Sequence, residues 1–275
     1  MAHVAELVTY PVKGCAGTRL ERAELTPAGL EHDRTFTVVG EDGVFRSQRR
    51  HPALAAVRPS VVGGGERLVL AAPGHGELEM PVAAEGRRLD VSVFTWRGKG
   101  VDQGDEVAAW FSDVLGAPSR LVRVAPEHER VSSGETPGTT GFADGHAVLV
   151  TSHESLDLLN ERIAGAGGEP VPMARFRPNV VVGGWGEPHA EDRVRRMRVG
   201  DAELGYAKVC VRCTVPMVDQ ETGRKAGPEP IRTLAGYRRS PEGGVTFGMK
   251  AAVVRPGRVG VGDEVEVETW VASLT

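Results

Sequence analysis

The sequence predicts an α+β fold that is predominantly β, built as one or two barrel-like sheets with a few connecting helices. Three observations carry that expectation. Across 275 residues, 36 Gly and 18 Pro interrupt the chain about every five residues, which suits many short strands better than long helices. Between those breakers, short apolar or alternating runs recur in the manner of buried or half-buried strands. Only two stretches combine a convincing helical periodicity with a start or stop signal.

Taken in order, residues 3–12 and 20–25 read as strand. Residues 34–39 and 44–47 read as two strands around Glu41-Asp42-Gly43, where Asp-Gly supplies the positive φ angles of a tight turn. Residues 54–62, 67–71, 76–82 and 89–96 continue the pattern, so the first hundred residues are expected to be mainly β. The first helix is predicted over Asp105–Leu115: Val107, Trp110, Phe111, Val114 and Leu115 recur at helical spacing, and Gly116 with Pro118 closes it. A loose boundary follows, separating an N-terminal unit, residues 1–120, from a C-terminal unit, residues 121–275.

Residues 121–124 read as strand, whereas residues 125–146 are polar, rich in Gly and Thr, and without periodicity. A loop of that length is expected to be a lid, a binding loop or mobile. After a strand at 147–150, Thr151-Ser152-His153-Glu154 reads as a capping box. Leu156, Leu159 and Ile163 then form the stripe of a second helix ending at Gly165. Residues 179–182, 197–199 and 202–209 read as strands, residues 228–237 as a short helix, and residues 245–254 and 265–267 return to β. There is no internal repeat and no low-complexity tract.

Composition excludes several functional classes. Hydrophobic residues at 40% and charged residues at 25% fit a globular core and rule out disorder. The formal charge of −4 supplies no overall basic field to hold nucleic acid, although a local basic pocket stays open. No apolar run is long enough to span a membrane and no signal peptide is visible, so a soluble cytoplasmic protein, expected as a monomer, follows. The three cysteines, Cys15, Cys210 and Cys213, are too few and too odd in number for a disulfide scaffold.

Cys210-Val211-Arg212-Cys213 is the sharpest motif. Such a pair can be half a zinc site, a dithiol redox centre, two inert buried thiols, or a ligand beside a structural thiol. Zinc lacks the further cysteines and suitably spaced histidines, and the motif follows a strand rather than opening a helix. Lys208 and Arg212, five and one residues before Cys213, suit a thiolate ligand for a soft metal. A second constellation is cationic: Lys13 in Tyr10-Pro11-Val12-Lys13-Gly14, Arg34 after Asp33, Arg49 and Arg50 before His51-Pro52, and Arg177 in Phe176-Arg177-Pro178-Asn179. Most sit near Pro or Gly at strand ends, where binding residues collect. If they converge, the natural guest is a phosphorylated, strongly anionic small molecule.

These motifs, in this order and with Val218-Asp219, Thr222-Gly223, Phe247-Gly248, Pro256-Gly257 and Val261-Gly262-Asp263, resemble the MOSC-domain proteins over nearly the whole chain. The likeness is to the branch with an N-terminal MOSC-type β-barrel, which includes the mitochondrial amidoxime reducing component and its bacterial relatives. The resemblance implies a MOSC-type β-barrel domain over 1–120 and a MOSC domain over 121–275, holding a molybdenum cofactor, molybdopterin with molybdenum. It further implies that Cys213 is the metal ligand and catalytic residue, with Cys210 as a neighbour. By the same resemblance, Lys13, Gly14, Arg34, Arg49, Asp144, Arg177, Asn179, Val211 and Arg212 contact the pterin and its phosphate. Gly14 and Val211 stand where the family often has Ser, so backbone N–H groups would replace two hydroxyls there.

The activity implied is reduction of N-hydroxylated small molecules by two-electron oxygen-atom removal. The four cysteines of an iron–sulfur domain, which some relatives append, are not among the three here, so an external electron-transfer protein or reductase is expected. The alternative is a carrier of sulfur or of the cofactor without turnover of its own.

Overall fold

The Val-Val-Val-Gly run of strand Val180–Gly183 is apolar without alternation, as suits a strand buried on both faces. Val180 and Val182 enter one core with Val4, Leu7, Val150 and Met249. Val181 enters the other with Leu159, Phe176 and Phe247, following the two-residue period of a pleated strand. The strand pairs in parallel with Val148–Ser152, and helix His153–Gly165 makes the crossover that a parallel pair requires.

In the computed structural model, which describes residues 1–241 and 243–271, this pair lies inside an eight-stranded sheet. Its order is Val265–Trp270, Val194–Val199, Ala202–Arg212, Val245–Arg255, Val148–Ser152, Val180–Gly183, His3–Thr9 and Thr18–Leu20. The first strand of the chain therefore pairs with a strand some 180 residues later, and sheet pairing crosses residue 120. A five-stranded sheet runs Arg88–Val93, Trp96–Asp102, Arg120–Val124, Phe36–Val39 and Val12–Lys13. With helix Asp105–Leu115 and the strands Arg58–Val62, Arg67–Ala72 and Gly76–Pro81 it encloses a separate core containing Phe36, Leu54, Leu68, Phe111 and Leu121. The protein is predominantly β, as the sequence predicts.

Both long helices form where the pattern places them. Gly116 ends the first in the left-handed region at φ 60°. The cap of the second is Ser152, whose Oγ accepts from the Ser155 N–H, rather than the Thr151 to Glu154 box. Thr151 donates to the Met173 sulfur and Glu154 accepts from the Gly184 N–H, so both are otherwise engaged.

Five expectations change. Residues 54–62 are not one strand, because Pro52 opens a 3₁₀ helix, Pro52–Ala56, before strand Arg58–Val62. Trp96–Asp102 is a strand that the apolar pattern missed, since Arg97, Gly98, Lys99 and Gly100 hide its alternation. The Glu41-Asp42-Gly43 turn forms with Gly43 at φ 71°, but its return arm makes only the Val39–Phe45 and Val44–Ser92 bridges before leaving the sheet. Residues 125–146 hold a small hairpin, Val131–Ser132 with Gly138–Thr139, and are tied down by Phe142, fully buried, and by Arg130, which donates to the Gly141 and Ala143 carbonyls. The short third helix is Ile231–Tyr237, three residues later in onset than the sequence suggests. The last four residues of the expected C-terminal unit lie outside the described residues.

Candidate functional site

A cavity of about 320 Å³ opens where Val12–Lys13, the loop after Phe45, the Phe94 hairpin tip, residues 143–149, residues 176–179 and the end of Ala202–Arg212 meet. Lys13, Gly14, Arg34, Arg49, Asp144, Arg177, Asn179, Val211, Arg212 and Cys213 all line it. Cys210 also lines it, while Cys15 is buried in the N-terminal core, its thiol pushed up to about 12 by burial.

The centre of the cationic wall is Tyr10. Its ring is in contact with two guanidinium groups, with Arg34 at 4.4 Å and Arg177 at 4.3 Å from the centroid. Burial pushes the Tyr10 phenol up to about 12, against the pull of both arginines, so it stays protonated and neutral. Arg34 donates to Asp33 at 2.5 Å and to the Asn179 side-chain oxygen at 2.8 Å, while Arg177 donates to Gln220 at 3.1 Å. Both arginines have left-handed backbones, φ 46° and 58°. A non-glycine residue keeps that conformation only where its surroundings enforce it, and such strain collects at binding sites. Burial draws the Arg177 guanidinium down from its ordinary value, and the adjacent Arg34 charge works in the same direction.

Asn179 is nearly inaccessible and its amide is saturated. Its oxygen accepts from Arg34 and from the Leu149 N–H, and its nitrogen donates to the Val8 carbonyl and to Asp33. It orients the Arg34–Asp33 pair rather than offering a free polar atom. Lys13, buried, forms an ion pair with Asp144 and lies 5.1 Å from the Phe45 ring centroid and 5.5 Å from that of Phe94. Enclosure pushes the Asp144 carboxyl up, but the charge and hydrogen bond of Lys13 outweigh it and hold the group below the usual carboxylate range. Asp144 is thus an anion, with 56% of its side chain open to the cavity. Arg49, exposed, has its guanidinium 5.6 Å from the Phe94 ring centroid.

Arg212 joins the two cysteines to this wall. One of its nitrogens contacts the Cys210 sulfur at 3.0 Å and another donates to the Phe176 carbonyl at 2.8 Å, leaving its buried Nε without a partner among the described residues. Cys210 is buried within strand Ala202–Arg212, and Cys213 is exposed one residue beyond its end. Among the described residues no group of three or more His, Cys, Asp or Glu side chains is placed to hold a metal, so the half-zinc reading of the cysteine pair gains no further ligands.

Seven cations, Lys13, Arg34, Arg46, Arg49, Arg177, Arg212 and Lys250, line the cavity against one carboxylate, Asp144. In a chain of formal charge −4 this concentrates positive potential in one place. The donor set fits a phosphate-bearing ligand. Gly14 takes φ 87°, and a Cβ there would meet the core Leu54 side chain at 3.2 Å. Sequence reasoning missed Gln48 and Gln220. Their side-chain amides bond each other reciprocally at 3.0 and 2.9 Å, and Gln48 also donates to the Gly14 carbonyl. It also missed Phe45, Phe94, His146 and Lys250, because none of these carries a local motif that separates it from ordinary core or surface.

Fold and site together define a β-rich protein with a cation-lined cavity and one exposed cysteine at its edge. Residues 1–118 match the MOSC N-terminal beta barrel domain, and residues 137–266 match the MOSC domain. The chain belongs to the MOSC-domain family. It is 32% identical to mitochondrial amidoxime-reducing component 1 of Mus musculus, covering 95% of this chain and 81% of that protein. Mitochondrial amidoxime reducing component 2 of Bos taurus is 32% identical, over 95% of this chain and 82% of that protein. The molybdenum cofactor sulfurase of Danio rerio is 32% identical over 90% of this chain, which spans about a third of it, 32%. Among the described residues no helix is long and apolar enough to cross a membrane.

Proposed function

We propose that this chain is a molybdenum cofactor-dependent oxidoreductase that reduces N-hydroxylated compounds with electrons from a separate donor protein. The observation that carries this is the exposed Cys213 thiol at the rim of a cavity where seven cations face one carboxylate. When bound, the cofactor supplies a two-electron centre suited to removing oxygen from an N–OH group.

The chain's own residues then have distinct tasks. Cys213 offers the protein sulfur ligand. Arg34, Arg177 and Lys13 hold the phosphate, each charge-assisted bond contributing about 1.5–3 kcal/mol, with the Gly14 and Val211 backbones alongside. Asp144 accepts from ring N–H donors, a role its ionised state and its opening to the cavity suit. Arg212 fixes the approach to Cys213 through its contact with Cys210, Asn179 holds Arg34 in place, and Arg49 covers the open side. Substrate N–OH becomes N–H and water on uptake of two electrons and two protons.

Purified from a host that makes the cofactor, the protein should carry molybdenum and pterin near one per chain by elemental and fluorescence analysis. Stoichiometric zinc in their place overturns the proposal. Cys213→Ser should abolish amidoxime reduction and lower molybdenum content, whereas Cys210→Ser should retain part of both. The alternative, a carrier of sulfur or cofactor without turnover, draws support from the match to molybdenum cofactor sulfurases. Reduction of benzamidoxime by an artificial electron donor separates the two.

A further inference from the structure

Arg177 is a buried cation without a counter-charge. It is 8% exposed, yet no carboxylate among the described residues lies within ion-pair distance of its guanidinium. A buried charge of that kind is costly unless something pairs with it. The two cations that share the proposed phosphate grip are already met, Arg34 by Asp33 and Lys13 by Asp144. Asp144 bears on Arg177 less than burial, Tyr10 or Arg34 do, and its own ion pair is with Lys13. The guanidinium makes one hydrogen bond among the described residues, from an Nη to the Gln220 side-chain oxygen at 3.1 Å. Its Nε and other Nη have no acceptor there, and the side chain lines the cavity.

Gln220 follows Cys213 by seven residues, in a turn held by Asp219, whose Oδ1 accepts from the Glu221 and Thr222 N–H groups. The orientation of its amide is dictated by four partners. The oxygen accepts from Arg177 and from Gln48 Nε2 at 3.0 Å, while the nitrogen donates to Gln48 Oε1 at 2.9 Å and to the Val218 carbonyl at 3.0 Å. Reversal would set an amide N–H against the guanidinium and an oxygen against a carbonyl. Gln48, 1% exposed, is fixed in turn by donating to the Gly14 carbonyl at 2.7 Å. A residue of the N-terminal half therefore holds the amide that holds Arg177. A carboxylate in place of that amide could accept the same bond, but it would cancel the charge; the amide restrains the guanidinium with a dipole alone.

We infer that Gln220, clamped by Gln48, is a positioning residue that fixes the Arg177 guanidinium and leaves its charge uncancelled, which reserves that cation for the phosphate of the ligand in the cavity. The inference rests on the proposed function for the identity of the ligand as a phosphate-bearing cofactor, and on the cavity alone for the anion.

The test is calorimetric titration of inorganic phosphate into the full chain, purified from a host that does not make the cofactor, with urea midpoints recorded to show that each variant is folded. Gln220→Met removes all four hydrogen bonds of the amide, whereas Gln220→Glu can keep the two that its oxygen accepts and adds a negative charge. A purely structural role makes Met the more harmful change. The inference requires the reverse order, with phosphate affinity about threefold weaker in Gln220→Met and about tenfold or more weaker in Gln220→Glu. No phosphate binding by the wild type, wild-type affinity in either variant, or a Met variant that binds as weakly as the Glu variant overturns it. Gln48→Met gives an independent check from the other half of the chain. It frees Gln220 without touching Arg177 and should weaken phosphate binding about as much as Gln220→Met does; unchanged affinity there also overturns the inference. Expression in a host that makes the cofactor separates the two levels. A chain that shows this order of phosphate affinities but takes up no molybdenum supports the positioning role and rejects the reductase. Full molybdenum content and full amidoxime reduction in Gln220→Glu support the reductase and reject the positioning role.

Discussion

Arg34 and Arg177 both lie against one buried ring, in backbone conformations that side chains with a Cβ rarely adopt. The Arg34 charge is met by Asp33, whereas Arg177 donates to the neutral Gln220 amide, and the network built on Asn179 holds the Arg34–Asp33 pair in place. Replacing Asn179 by Ala removes its bonds to Arg34, Asp33, the Val8 carbonyl and the Leu149 N–H, while Asp33 keeps Arg34 and the Tyr10 N–H. Urea denaturation should register a loss of about 2–3 kcal/mol, and the variant should retain less cofactor through gel filtration than wild type. An unchanged denaturation midpoint would mean that these groups find other partners. At Gly14, Ala must adopt φ 87° against Leu54, and a stability loss of about 1–2 kcal/mol is expected by the same measurement.

Among the elements, the second helix gives the clearest test of local chemistry. Ser152 both caps that helix and donates to the buried Glu191 carboxyl. Ser152→Ala should therefore cost at least the roughly 1 kcal/mol typical of a lost cap, read from the thermal midpoint. This element also marks how far local signals reach. Its apolar stripe and polar start identify a helix, yet choosing Ser152 over Thr151 as the cap depends on Met173 and Gly184, which are distant in sequence. The Asp105–Leu115 helix was legible because propensity, periodicity and its Gly116 stop agree. Trp96–Asp102 was not, because its pairing with Arg88–Val93 and Arg120–Val124 compensates for glycines and charges that weaken a strand in isolation. For the site, Lys13, Arg34, Arg177 and the cysteine pair stood out as motifs with turn residues beside them. Gln48, Gln220 and Lys250 become informative only when strands from both halves are brought together.

Across the molecule, two sets of buried groups respond to pH in opposite senses. Glu191 is fully buried, and burial with the neighbouring Asp192 charge pushes its carboxyl up from 4.5 to about 7. Between those values the unfolded chain has released a proton that the folded chain keeps. This contribution to stability is therefore present at low pH and is lost as pH rises from about 4.5 to about 7, on the order of 3 kcal/mol. Glu191→Gln should remove that decline when chemical denaturation is compared at pH 5 and pH 7.5. A difference between the variant and wild type that does not change with pH would contradict it. His146, pushed down to about 4 from 6.5, acts the other way: keeping it neutral costs stability as pH falls through that range.

The placing of His3–Thr9 between Val180–Gly183 and Thr18–Leu20 has a consequence for how the molecule is made. During synthesis the opening strand leaves the ribosome long before its main neighbour exists, and its Val4 and Leu7 must wait in water for residues near 180 to emerge. Severing the polypeptide near residue 120 would deny the later fragment a strand beside Val180–Gly183 and leave that apolar edge ready to stick to other chains. Mixing the two fragments, rather than producing either alone, is the way to recover a folded protein from the pieces.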